Sequence, residues 1–189
     1  MALYTKRHSQ LGAMFGLDAR IALGIFGLLS VVAGYSAVNV FGQAGVTALT
    51  TELSNMKKAH AEFYMATGEH PANFMDLINN ETGYQNWAGP YVDGMTSDRS
   101  RLYGNYSFVE GRIDIGGVPP VECTGGICGL WLKLTKVKDT LAKEAHAKMS
   151  AGEKTMSAGV MRVEITPGPT DDIYFFIANK GASSEVVSE

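Results

Sequence analysis

The stretch GLDARIALGIFGLLSVVAGYSAVNVFGQAG, residues Gly16–Gly45, decides how the rest of this 189-residue sequence is interpreted. No charged side chain occurs from Ile21 to Thr51. A helix rises about 1.5 Å per residue, so roughly 20 apolar residues cross the hydrocarbon core of a bilayer. Ile21–Val40 has that length. The sequence therefore predicts a helix that crosses a membrane once, over about residues 21–42.

The basic residues around the apolar run predict its orientation. Lys6, Arg7 and Arg20 precede the run, and the next basic side chain is Lys57. Cytoplasmic flanks carry the excess of Lys and Arg. We therefore expect a single pass through the inner membrane, with the amino terminus in the cytoplasm and the bulk of the chain outside.

Three interpretations of this segment compete. A secretory signal peptide would be cut near Phe41–Ala44, but its apolar region is normally only about 7–15 residues long. A signal anchor would tether the following domain and do nothing else. The third possibility is a short basic leader that is removed immediately before the apolar helix.

The residues around the start of the run favour the third interpretation. Cutting after Ala13 gives MFGLDARIALGIFGLL, with Met14 at the new terminus and Asp18 in fifth place. This arrangement resembles type IV pilins and pseudopilins, in which a Gly precedes the cut and a Glu stands fifth. Cutting after Gly12 restores the Gly and moves Asp18 to sixth place, so both cuts remain open. The resemblance implies that residues 1–13 form a leader.

A carboxylate at the start of a membrane helix needs a partner. In a filament, the resemblance implies that Asp18 pairs with the new α-ammonium group of a neighbouring subunit, Met14 when the cut follows Ala13, and so sets the axial register. The alternative is that Asp18 only caps the helix near the lipid head groups, where the helix dipole stabilises it.

The helix is predicted to continue beyond the membrane, over residues 14–67. After Gly45 the pattern becomes amphipathic, and no Pro occurs before Pro71. Apolar residues recur every three or four positions along one face of the helix, and His60 occupies one position of this apolar stripe. Its members are Val46, Leu49, Leu53, Met56 and Phe63. Five glycines, at positions 24, 27, 34, 42 and 45, either permit close helix packing or reflect the usual glycine content of membrane helices.

A second part of the resemblance follows the long helix. Pilin-like proteins often have a Tyr, a Gly and an aromatic-Pro pair there, and this chain has Tyr64, Gly68 and His70–Pro71. They also often have a W-x-G-P-Y turn, which matches WAGPY at Trp87–Tyr91. We assign Trp87 and Tyr91 a packing role. A short helix is expected between these motifs, over Ala72–Asn79.

The remaining sequence predicts a globular head over residues 68–180 and a flexible tail over residues 181–189. Leu102–Val118 has β-formers on both sides of Glu110–Gly111, which predicts a hairpin. Gly129–Val137 is ambiguous between strand and helix. Thr135–Glu153 predicts a helix that starts as early as Cys128, since Leu132, Leu134, Val137, Leu141 and Ala145 form one stripe.

Two more strands, Gly159–Pro167 and Asp172–Lys180, are predicted to be joined by a Pro/Gly turn. The predicted fold class is therefore α+β, with a long amino-terminal helix packed on a small antiparallel sheet of about four strands. The resemblance implies the type IV pilin fold.

The two cysteines, Cys123 and Cys128, lie in GVPPVECTGGICGLWLKL. This segment resembles one branch of type IVb pilins, in which a strand ends in a V-P step, a Cys follows, and a helix comes next. The resemblance implies a Cys123–Cys128 disulfide, which suits a head outside the cytoplasm. Two free thiols in a cytoplasmic protein are the alternative.

Several functional classes lack support in the sequence. The net charge of −3 gives no basic surface for nucleic acid. We find no phosphate-binding loop, dinucleotide-binding motif, nucleophile elbow or zinc motif. We therefore expect no enzymatic activity and no cofactor. Asp171 and Asp172 invite a calcium interpretation, but two adjacent carboxylates are more typical of a turn than of a site needing about six oxygens.

The resemblance implies a structural subunit of a type IV pilus or pseudopilus-like filament that assembles through its hydrophobic helix. It also implies a prepilin peptidase, an assembly ATPase and a platform protein as partners. The filament would be periplasmic or extracellular. The alternative is a membrane-anchored periplasmic scaffold or binding domain that never polymerises.

Overall fold

The computed structural model of the chain describes residues 11–182. Three helices and four strands form along them. The helices are α1 (Leu11–Thr67), α2 (Asp76–Asn79) and α3 (Asp139–Met149). The strands are β1 (Tyr106–Arg112), β2 (Ile127–Lys138), β3 (Met161–Glu164) and β4 (Thr170–Ala182). The chain forms two compact units, Met1–Ala44 and Gly45–Glu189, and the boundary between them lies within α1.

Helix α1 ends where the sequence predicts. Gly68 follows its last residue with a φ of 77°, and its N–H donates to the carbonyl of Tyr64 at 2.8 Å. A left-handed glycine of this kind is a common way for a helix to stop. The described part of the helix starts at Leu11, three residues before the predicted start at Met14. Residues 1–10 of the predicted leader lie outside the described residues.

The second part of α1 packs on the head through the predicted apolar stripe. Leu49, Leu53 and Phe63 are fully buried, and His60 occupies its slot in the stripe with only 3% of its surface exposed. The remaining predicted members, Val46 and Met56, are also buried. Ala59, which the predicted stripe did not include, is buried beside them. Burying a large apolar side chain contributes roughly 1.5–3 kcal/mol, so the stripe is a main source of stability for this unit.

The sheet has the strand order β1-β2-β4-β3, and every neighbouring pair is antiparallel. Together with the long amino-terminal helix, this confirms the α+β class. The predicted pair of carboxyl-terminal strands is also confirmed, as β3 and β4. Strand β4 runs to Ala182, so two residues of the predicted tail belong to the sheet. Residues 183–189 lie outside the described part of the chain.

The predicted hairpin at Glu110–Gly111 is wrong. Both residues lie inside β1, where Glu110 pairs with Leu130 and Gly111 with Gly129. Glycine is needed at 111 because another segment passes close by. A Cβ there would overlap the side chain of Pro120 and lie 3.2 Å from the carbonyl oxygen of Val121.

The helix expected from Thr135, or even from Cys128, is also wrong over its first part. Residues 127–138 form β2, and α3 begins only at Asp139. The register with β4 shifts between Leu134 and Val137, and Lys136 has a φ of 59°. This bulge lets Leu134 and Val137 enter the same core although they are three residues apart. The three-residue spacing of Leu134 and Val137 therefore resembles that of a helix, although both residues lie in β2.

Helix α2 is shorter than the predicted Ala72–Asn79. The carboxylate of Asp76 organises the segments on either side of it. It accepts hydrogen bonds from the N–H of Asn73 at 3.1 Å and from the N–H of Thr82 at 2.9 Å. Residues 72–75 form turns instead of helix because these side-chain bonds compete with the helical pattern.

The WAGPY segment packs as predicted. The indole N–H of Trp87 donates to the carbonyl of Asp76 at 2.7 Å. The ring of Tyr91 meets the rings of Phe63 and Trp87 edge-on, with centroids 5.5 Å and 5.8 Å away. The segment therefore fastens α2 to the carboxyl-terminal part of α1.

Candidate assembly surface

The apolar part of α1 is exposed on all its faces. A helix that is hydrophobic all round is stable only in a membrane or against other helices. The large side chains of this surface are each 54–76% exposed. They are Ile21, Leu23, Ile25, Phe26, Leu28, Leu29, Val31, Val32, Tyr35, Val40 and Phe41. We call residues 21–41 the apolar segment.

Helix α1 is long and apolar enough to cross a membrane. Between Asp18 and Thr67 it contains an 18-residue window with a mean hydropathy of 2.1, and none of that window is buried. Among residues 11–182, one helix near the amino terminus is thus long and apolar enough to span a membrane, which is compatible with membrane anchoring.

Within residues 11–182, nothing packs against three glycines of the apolar segment. A Cβ built on Gly24, Gly27 or Gly34 meets no atom within 4 Å outside its own helix backbone. Glycine in a helix interior costs about 1 kcal/mol relative to alanine in water. A close approach by another helix would supply a reason for these glycines.

The residues predicted to direct maturation all fall within the first turns of α1. Gly12, Ala13 and Met14 follow Leu11 directly. Asp18 and Arg20 are exposed and stand immediately before the apolar segment. The positions of Asp18 and Arg20 are compatible with both predicted roles of the carboxylate, as a partner for a neighbouring α-ammonium group and as a dipole-stabilised cap.

A buried polar contact joins α1 to the loop before β1. One carboxylate oxygen of Glu52 accepts hydrogen bonds from the hydroxyl of Tyr106 and, at 3.1 Å, from the hydroxyl of Ser100. Burial, followed by the bond to Glu52, raises the pKa of Tyr106 far above its usual value. Tyr106 is therefore a neutral donor at every physiological pH.

Two histidines meet near the end of α1. The Nε2 atom of His60 lies 3.0 Å from the Nδ1 atom of His70, and the ring of Tyr64 lies 4.8 Å from that of His70. Burial and, next, the charge of Lys180 lower the pKa of His70. Its ring is therefore neutral near pH 7.

The predicted cysteine partners are neighbours in space. The sulfur atoms of Cys123 and Cys128 lie at disulfide distance, and their Cα atoms are 5.7 Å apart, within the usual range for a bridge. Cys128 lies in strand β2, which continues to Lys138 in place of the helix that the type IVb resemblance implies. The close pair is compatible with a bridge that closes the CTGGIC loop.

The carboxylates of Asp171 and Asp172 point in different directions, as expected for successive residues of a strand. Asp171 accepts from the N–H of Thr166 at 3.0 Å, while Asp172 forms an ion pair with Lys133 at 2.9 Å. Among residues 11–182, no group of three or more His, Cys, Asp or Glu side chains is arranged to hold a metal. Asp171 therefore stabilises the turn between β3 and β4, and Asp172 stabilises the pairing of β4 with β2.

Comparisons of the chain with protein-family models, with curated proteins and with solved structures returned no match.

Sequence reasoning missed the Glu52–Tyr106 and His60–His70 contacts. His60 offered a partial signal, because it occupies an apolar slot of an otherwise regular stripe. Its partner, His70, comes after the end of α1. The distance between the two histidines therefore depends on how the chain turns at Gly68. Tyr106 lies 54 residues from Glu52, and nothing in the local pattern links them.

Proposed function

We propose that this chain is a pilin-like structural subunit that assembles into a filament through its apolar segment. The observation that carries the proposal is the exposure of the large apolar side chains described between Ile21 and Phe41, in a helix whose later residues are part of the core of a folded unit. The apolar helix of such a subunit lies in the membrane before assembly and packs against the helices of other copies afterwards.

Three features support a polymer over a simple anchor. The carboxylate of Asp18 stands just before the apolar segment, where a charge needs a partner. The helix carries glycines that nothing in its own chain explains. The start MFGLD resembles the processed amino terminus of type IV pilins and pseudopilins. An anchor needs none of these.

The proposal includes the pathway that the resemblance implies. The chain is inserted in the inner membrane with its head outside, and a prepilin peptidase cuts after Gly12 or Ala13. An assembly ATPase and its platform protein then move it into a periplasmic or extracellular filament. The work of the chain is assembly, and it carries out no catalysis.

Sequencing the amino terminus of the protein from its native host tests this proposal. A start at Ala13 or Met14, in material that electron microscopy shows as filaments, is the expected result. A start at Met1 or Ala2 together with single copies in the membrane would favour the anchored scaffold. A start near Gly45 would indicate an exported soluble protein.

A further inference from the structure

The contact between His60 and His70 has a geometry that suits a metal ion. Their facing nitrogens are 3.0 Å apart, and the ring planes are inclined by only 15°. Two imidazole nitrogens on a tetrahedral ion, each at about 2.0–2.1 Å, lie roughly 3.3 Å from one another. Converting the hydrogen-bonded pair into a chelating pair therefore needs a few tenths of an ångström more separation, a rotation of both rings until their lone pairs converge on the ion, and release of the proton between the two nitrogens to solvent.

One proton joins the facing nitrogens of the two rings. Nε2 of His60 and Nδ1 of His70 form a hydrogen bond, so one of them carries the proton and the other keeps its lone pair. A metal ion bound by both nitrogens displaces that proton to solvent. Asn179 lines the same groove, and metal-binding histidines commonly donate their second nitrogen to a backbone carbonyl.

The pair opens into a groove that has room for solvent ligands. The cavity has a volume of about 310 Å³, and its walls are formed by the end of α1 and the end of β4. Besides the two histidines, the groove is lined by Lys57, Ala61, Tyr64, Met65, Ile177, Ala178 and Asn179. A cavity of this size holds several water molecules, which can complete the coordination of an ion.

The charged groups around the groove are already engaged. Lys57 lies over the rings of Phe175 and Phe176, at 5.8 Å and 5.3 Å from their centroids. Lys180 is paired with Glu110. The two ammonium groups are thus partly offset by aromatic faces and a carboxylate, so the positive charge facing an incoming cation is reduced.

We propose that His60 and His70 form a chelating site for a divalent transition-metal ion of the Zn²⁺ or Cu²⁺ type, with water in the remaining positions. Imidazole selects such ions, whereas Ca²⁺ and Mg²⁺ prefer oxygen ligands. The site is independent of polymerisation, because both ligands belong to one copy of the chain.

Titration of the detergent-solubilised full chain with Zn²⁺, followed by calorimetry, tests the site. We expect one saturable site per chain, no saturable binding of Ca²⁺, and at least a tenfold loss of Zn²⁺ affinity in His70→Gln. His146→Gln is the matched control, since His146 is bonded to the carbonyl of Ala158 in another part of the head. Circular dichroism checks that each variant is folded.

Cu²⁺ electron paramagnetic resonance provides a second readout. The wild-type chain is expected to show splitting from two nitrogens and His70→Gln splitting from one. His70 is partly exposed, so its replacement is better tolerated than that of the buried His60. Absence of saturable Zn²⁺ binding to the wild-type chain, or unchanged affinity and splitting in His70→Gln, would overturn the proposal.

Discussion

Glu52 is the residue through which α1 is hydrogen-bonded to the loop that leads into β1. The carboxylate of Glu52 accepts hydrogen bonds from two hydroxyl groups, and Tyr106→Phe removes one of them. The side chain of Tyr106 is only 1% exposed. We expect the free energy of unfolding to fall by about 1–3 kcal/mol, because a half-buried carboxylate loses one of its two donors while the ring volume is retained. Urea unfolding of the full chain in detergent measures the change.

A double-mutant cycle with Glu52→Gln separates this bond from other effects of either substitution. The two single changes should not add, and their coupling should be about 0.5–3 kcal/mol. A coupling close to zero would show that the contact contributes nothing to stability.

At the scale of single residues, the sequence predicted the apolar contacts better than the polar ones. Leu49, Leu53 and Phe63 occupy the buried face that their spacing predicts. Burial of a helix face follows from local periodicity, whereas a hydrogen bond such as Glu52–Tyr106 depends on the complete fold. His60 and His70 are close in sequence, but the turn between them sets their distance.

At the scale of elements, Gly111 distinguishes a continuous strand from a hairpin. Gly111→Ala introduces a Cβ that overlaps Pro120 and crowds the carbonyl of Val121. We expect a loss of about 1–3 kcal/mol in the free energy of unfolding, as for other cases of overpacking. Ser107→Ala, an exposed change in the same strand, is the control and should have little effect.

Thermal unfolding monitored by circular dichroism measures both variants. If Gly111→Ala is as stable as Ser107→Ala, the close passage of Pro120 beside β1 is incorrect.

The elements that the sequence predicted well are those with a long and regular pattern. Helix α1 and the pair β3–β4 have clear periodicity and clear stop signals, such as Gly68. Strand β2 is buried without interruption from Cys128 to Leu132, so its apolar residues do not alternate over that stretch. A continuous run cannot be assigned by periodicity alone, and the bulge at Lys136 added a helix-like step.

The glycines of α1 make a second test at this scale. Gly34→Leu should leave the amount of membrane-inserted subunit unchanged, because nothing in the chain lies within 4 Å of the added Cβ. It should reduce filament yield severalfold if another helix approaches closely at this position. Val31→Leu is the matched control, since that position already has an exposed branched side chain. Filaments sheared from cells and quantified by immunoblot give the yield.

Equal yields from Gly34→Leu and Val31→Leu would mean that the glycine only reflects membrane composition. The two interpretations of the glycine content, which the sequence leaves open, are thus separated by one comparison.

At the scale of the whole molecule, Asp18 connects the membrane-bound subunit to the proposed filament. Asp18→Ala should abolish filaments while the chain still inserts in the membrane, if the carboxylate acts by pairing with a neighbour's α-ammonium group as proposed. Asp18→Glu keeps the charge and should retain assembly. Membrane fractionation and electron microscopy of sheared material measure the two steps separately. Normal filaments from Asp18→Ala would leave the carboxylate only the role of a helix cap.

The most direct measurement is electron cryomicroscopy of material sheared from cells that produce this chain. We expect a helical filament in which residues 21–41 of neighbouring copies are packed against each other, with the heads on the outside. Recovery of the chain only as uncut, single copies in the membrane, with no filament that contains it, would contradict the account.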